Sequence, residues 1–206
     1  MGRPTDGHRS REHAIRTLTP LAVACLAVLV ERPMHPYELF SLLRERHADS
    51  IVKVNPGSLY HTVERLARHG LAEPVATERA GNRPERTTYA ITPAGRAALV
   101  ASVSDMLGAP VNEYPQFPLA LGEAHNLPRE QVIGHLEDRA ERLEAMLREA
   151  DALIDEVSEA GVPEAYWFVV DYRRTVQTAE LAWIRSLTAR LHSKEFPWPL
   201  ETTTRP

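Results

Sequence analysis

Between residues 55 and 70, one side of the chain carries Ser58, His61, Thr62, Arg65 and Arg68. These are hydrogen-bond donors and cations of the kinds that meet base edges and phosphates. The other side carries Leu59, Val63, Leu66 and Ala67 at three-to-four spacing, so the stretch reads as a helix with an apolar face and a polar one. Its ends are marked. Asn55 can accept from first-turn amides, Pro56 suits the first helical position, and Gly70 can close the far end in the left-handed conformation. Lys53 and Tyr60 add groups suited to phosphate. Any amphipathic surface helix could have this composition, so its neighbours must decide what the face is for.

Other chemistries find no constellation. Cys25 is the only cysteine and lies inside an apolar run, which suits a small core residue and excludes an intrachain disulfide and a zinc site built on thiolates. His61 and His69 are eight apart, without a carboxylate placed as a co-ligand. No HExxH pattern, phosphate-cradling glycine loop or GxSxG elbow occurs. The pairs Glu137-Asp138 and Asp155-Glu156 read as solvated helix surface. The expectation is a non-enzyme with no catalytic residues, no metal and no cofactor.

The elements around the polar face have a recognisable order. Residues 1–18 are polar and aperiodic and read as a flexible arm. Thr19-Pro20 opens an apolar helix through Val30, stopped at Arg32-Pro33, and Pro36-Tyr37-Glu38-Leu39 opens a second with Leu39, Phe40, Leu42 and Leu43 inward. Ile51–Val54 is β-prone and leads into the Asn55–Gly70 helix. Two short β-prone runs follow, separated by a loop with Arg79, Gly81, Asn82 and Arg83, and Arg86 borders the second run. Helix, helix, polar-faced helix and basic-tipped hairpin is the order of a winged helix-turn-helix over residues 19–107. In that arrangement Ser58, His61 and Arg65 meet base edges, Lys53, Tyr60, Arg79, Arg83 and Arg86 hold phosphates or the minor groove, and Asn55 and Thr62 complete the DNA-binding set. A solvated charged loop is the plainer reading of the hairpin tip. Charge agrees with nucleic acid: residues 1–99 hold 14 Lys+Arg against 10 Asp+Glu, and residues 100–206 hold 10 against 18.

These residues resemble the PadR family of winged-helix transcriptional regulators. The likeness rests on His35-Pro36-Tyr37-Glu38-Leu39, Pro56-Gly57-Ser58-Leu59-Tyr60, Leu66-Ala67-Arg68-His69-Gly70-Leu71 and Arg86-Thr87-Thr88-Tyr89-Ala90-Ile91-Thr92-Pro93-Ala94-Gly95. It departs at Pro36, where many relatives have glycine, and at His61, where many have proline. The resemblance implies a homodimeric repressor that binds double-stranded DNA at an inverted repeat and is released by an effector, phenolic acids and aromatic drugs being examples among relatives.

In the second half, residues 108–127 form a proline-broken connector with one short helix near Phe117. Residues 128–192 follow as two long helices joined at Gly161-Val162-Pro163. Ile133, Leu136, Leu143, Leu147 and Ile154 form a heptad seam on the first helix, and Val169, Tyr172, Val176 and Trp183 form one on the second. Two antiparallel helices cannot bury both seams alone, so a dimer through this arm is expected. The fold expected is therefore mainly α, with a two-stranded wing and a dimer-forming helical arm. Tyr114, Phe117, Trp167, Phe168, Tyr172 and Trp183 are candidates to line a site for a small aromatic effector. Residues 193–206 read as a flexible tail in which Trp198 could be pinned on a helix. The apolar run Leu21–Val30 is about half of a bilayer span, and the first residues lack a signal sequence, so a cytoplasmic protein with no membrane partner is expected. A coiled-coil adaptor without specific DNA binding is the alternative function.

Overall fold

A computed structural model describes residues 18–78 and 86–202 of the chain. Contacts divide it into two compact units, Met1–Asn112 and Glu113–Pro206, each with its own apolar core.

The first unit packs around helix α1 (Pro20–Leu29), apolar almost throughout, which buries one broad side through Leu21, Cys25, Leu26, Val28 and Leu29 and leaves Ala27 exposed on the other. The Thr19 hydroxyl caps it by accepting from the Ala22 amide at 3.3 Å. Leu18 is buried at its entry; the sequence reading placed it in the loose arm, whose other residues, 1–17, lie outside the described residues. An apolar side chain just before an N-cap gains by packing back on the helix it precedes. Cys25 is fully buried, and burial pushes its thiol up to about 12, so it is a core side chain and no nucleophile.

Helix α2 (Pro36–Glu45) starts with a capping box built on a histidine. His35 Nδ1 accepts from the Tyr37 amide at 3.1 Å, and Glu38 accepts from the His35 amide at 2.9 Å. That amide, with Arg32 beside it, holds the Glu38 carboxyl below the usual carboxylate range. The β-prone run Ile51–Val54 forms no strand; a 3-10 turn at Ala48–Ser50 leads into it instead. A short extended run needs a partner, and the free edge of the hairpin is taken by Met34, which exchanges backbone hydrogen bonds of 2.9 and 3.0 Å with Tyr89.

Helix α3 (Pro56–Arg68) begins at Asn55, whose side chain accepts from the Ser58 amide at 2.9 Å. It ends in a Schellman turn: Gly70, at φ +72°, donates to Ala67 O at 3.0 Å and Leu71 donates to Leu66 O at 2.9 Å. Leu59, Val63 and Leu66 seat it on the core. Strands β1 (Ala72–Glu78) and β2 (Arg86–Ile91) then pair antiparallel, with Ala72 opposite Ile91, Glu78 opposite Arg86, and a register slip between Pro74 and Ala76. A slip is expected there, since proline has no N–H for the ladder.

Helix α4 (Pro93–Gly108) is clasped to the end of α3. Thr92 accepts from the Gly95 amide at 3.0 Å, donates its hydroxyl to Gly70 O at 2.7 Å, and donates its amide to Leu71 O at 3.1 Å. Gly95 lies so close that a Cβ on it would stand 2.0 Å from Leu71 O.

The second unit contains α5 (Gln116–Glu123), α6 (Arg129–Glu159), α7 (Phe168–His192) and the short α8 (Pro199–Thr202). The pairs Glu137–His192, Glu144–Arg185 and Asp151–Arg174 run in opposite order along α6 and α7, so the helices are antiparallel. Ile133, Leu136 and Leu143 are buried here with Leu181, Ile184 and Leu191. That corrects the expectation that these seam residues face a second copy: a heptad fixes the buried face, not the partner. On α7, by contrast, Tyr172, Val176 and Trp183 remain exposed at 65%, 46% and 49%.

The expected loose tail is packed through Trp198. The indole is buried and its N–H donates to Leu127 O at 2.7 Å. Buried Arg129 donates to Leu191 O and Phe196 O, both at 3.3 Å. A large aromatic surface with a satisfied polar tip gains enough by burial to order a short proline-rich segment.

Gly95→Ala tests the clasp. Helix propensity alone favours alanine, but the close approach to Leu71 should reverse the sign and cost about 1–3 kcal/mol in urea unfolding, as overpacking does. A variant as stable as the parent would mean that α4 does not approach Leu71 this closely.

Candidate nucleic-acid interface

The seating of α3 decides which of its side chains are available. With Leu59, Val63 and Leu66 inward, the 100° step of a helix turns Gly57, His61, Glu64 and Arg68 directly outward, and all four are exposed. The His61 side chain is 85% exposed, and its Nδ1 lies 3.7 Å from Glu64 Oε2.

Thr62 is not on this face. It is 6% exposed, and its hydroxyl donates to Ser58 O at 2.7 Å, which lets a polar residue sit in the core with its donor satisfied. Removing Thr62 from the recognition set corrects the sequence reading. Ser58 is half-buried and donates its hydroxyl to Asn55 O at 3.1 Å, so Asn55 and Ser58 together fix where the helix begins.

Two residues occupy the flanks. Arg65 reaches back from α3 and donates to the Thr19 hydroxyl at 3.2 Å, at the start of α1. Tyr60 leans the other way, its ring 6.0 Å from the His35 ring in an edge-on arrangement. Lys53 is exposed just ahead of the helix. Arg86 enters as the residue that opens β2, and Arg79 and Arg83 lie outside the described residues. On the hairpin side, the Tyr89 phenol is pushed above its ordinary range, first by burial and then by the charge of Glu64.

The sequence expectation rests on donors and cations and so omits Glu64, and it sets Arg68 on the polar side outside the contact set. The helical wheel held the signal for both, once centred on Leu59, Val63 and Leu66.

The six candidate effector aromatics do not converge. Trp167 donates to Val162 O at 3.0 Å in the α6–α7 turn, with Phe168 and Tyr172 exposed in the first turns of α7. Tyr114 is 83% exposed. Of the six, only Phe117 lines a cavity of about 570 Å³ between α5, α6 and α7, where Leu121, Leu136, Arg139, Leu143 and Glu180 also lie. The Arg139 guanidinium sits 3.7 Å from the centre of the Phe117 ring and 2.6 Å from Glu180. Phe117 and Trp183 share a smaller neighbouring cavity of about 380 Å³. Trp167, Phe168 and Tyr172 line neither cavity. Among the described residues no group of His, Cys, Asp and Glu could hold a metal ion, and no helix is long and apolar enough to cross a membrane.

Comparison with known proteins bears on the fold and on residues 25–101. That segment matches the family model described as the transcriptional regulator PadR-like family. Bacillus subtilis PadR in complex with operator DNA superposes with a TM-score of 0.69 at 18% identity, covering 85% of this chain and 99% of that one. The same regulator in complex with p-coumaric acid gives 0.67 at 17% identity, over 84% and 98%. A PadR-like transcriptional regulator from Bacillus cereus gives 0.61 at 16% identity, over 84% and 99%. Comparison with curated protein sequences gives no match. Residues 25–101 are thus similar to the transcriptional regulator PadR-like family, within a mainly helical fold with a two-stranded wing like that of the solved PadR structures.

Proposed function

We propose that the chain is a DNA-binding repressor that acts as a homodimer on an inverted repeat and is released by a small effector. The observation that carries this reading is the seating of α3, which is capped at both ends and turns a polar face outward immediately before a hairpin. Two such helices would enter successive major grooves about 34 Å apart. His61 would meet base edges. Asn55 and Ser58 would fix the helix start, and Lys53, Tyr60, Arg65, Arg79, Arg83 and Arg86 would hold phosphates or the minor groove. Arg65 is assigned to phosphate because it lies on the flank of α3 with one donor already on Thr19. In gel-shift titrations His61→Ala should lose roughly 1–3 kcal/mol on the operator and relax sequence preference, whereas Arg65→Ala should weaken every duplex alike and flatten the salt dependence. Equal effects of both variants on specific and random DNA would remove this division.

Val169, Tyr172, Val176 and Trp183 of α7 are assigned to the dimer interface. Leu147 and Ile154, half-buried on α6, would extend its edge. Across a twofold axis this stripe would meet its own copy, as an isologous interface requires. Trp183→Glu and Tyr172→Glu should each shift the sedimentation velocity profile from dimer to monomer. A parent protein that already sediments as a monomer would contradict the assignment.

The effector is assigned to the cavity between α5, α6 and α7, whose volume suits a small organic molecule. Bacillus subtilis PadR takes p-coumaric acid, and an aromatic acid is the class to try first here. Binding would release DNA only if it favoured a dimer with a different head spacing. Leu121→Trp should fill the cavity, leaving DNA binding intact while abolishing release by any compound that dissociates the parent complex. Unchanged release in this variant would move the effector elsewhere.

A further inference from the structure

The outward face of α3 has a carboxylate near its centre. Glu64 lies one turn after His61 and one before Arg68, its side chain 58% exposed, and its ion pair among the described residues is with His61 at 3.7 Å. An acidic group at the middle of a surface that meets DNA is repelled by phosphate. It is also repelled by the acceptor atoms that dominate the purine edges. In the major groove only two groups can donate to it, the N4 amino group of cytosine and the N6 amino group of adenine. Adenine presents the N7 acceptor beside its amino group, whereas cytosine presents the amino donor alone.

We propose that Glu64 is a specificity-determining residue of the recognition helix, accepting from the N4 amino group of a cytosine in each half-site while His61 beside it donates to a guanine acceptor. This rests on the DNA-reading role assigned to α3 above. Glu64 acts by discrimination more than by affinity: its charge is compensated at one base and penalised at the others, and it weakens binding to random duplex. It differs from Arg65, which spends a donor on Thr19 and is indifferent to sequence.

Selection of bound duplexes from a random library by the full chain, by Glu64→Ala and by Glu64→Gln tests this. The parent should enrich a motif with a cytosine column in each half-site. Glu64→Ala should lose preference at that column alone, by about tenfold or more, and bind random duplex a few-fold more tightly at low salt. Glu64→Gln should move the column toward adenine, because a carboxamide can pair with both N6 and N7. No merely structural role would produce that switch. If Glu64→Ala enriches the parent motif unchanged, or weakens all duplexes equally, the assignment is overturned while DNA reading by α3 stands. If the parent enriches no motif, the DNA-reading role falls and this assignment with it.

Discussion

The backbone of one residue, Leu71, ties together the parts of the first unit. Its amide closes α3 onto Leu66, and its carbonyl accepts from Thr92 at the head of α4. Gly95 leaves that carbonyl the room it needs. Between these bonds the chain turns into β1, so the exit of the polar-faced helix, the root of the hairpin and the start of α4 are fixed by one peptide. Side-chain packing then sets rotation: Leu59, Val63 and Leu66 are fully or almost fully buried, and a helix so seated presents a defined face outward. A helix with a loose exit could roll, and His61 and Arg65 would exchange roles.

What the sequence made legible follows from how local each determinant is. The caps at Thr19 and Asn55 depend on atoms within three residues and are legible in the sequence. Gly70 likewise needs only a left-handed position after a helix. Thr62 misled because a threonine can satisfy its own hydroxyl against the carbonyl four residues back and then behave as a small apolar side chain. The run Ile51–Val54 is β-prone in composition and forms no strand, because a strand needs a partner edge and the edge beside Tyr89 is taken by Met34.

The second unit shows the same boundary at longer range. Two apolar stripes run along α7. Leu181, Ile184 and Leu191 pack within the unit, whereas Tyr172, Val176 and Trp183 stay outside. Periodicity reveals stripes but not which one the neighbouring helix covers. The six aromatic candidates line no common cavity for a related reason, since convergence on a cavity is a property of tertiary packing. Trp198 shows how little sequence is needed to order a segment when one large side chain finds both an apolar floor and a carbonyl for its N–H. The domain match at residues 25–101 and the PadR-like fold agree with the part of the reading carried by local motifs.

The central claim is that the outward face of α3 enters the major groove of DNA, and the chemistry of the chain offers a direct probe. Cys25 is the sole cysteine and is fully buried, so Arg68→Cys adds one reactive thiol at the edge of the reading face. Conjugated to an iron chelate and activated on the protein's own upstream DNA, it should cleave at two places about one helical turn apart, both in the major groove. Cleavage scattered evenly along the duplex, or no stronger than from a chelate placed at Tyr114→Cys, would contradict the account.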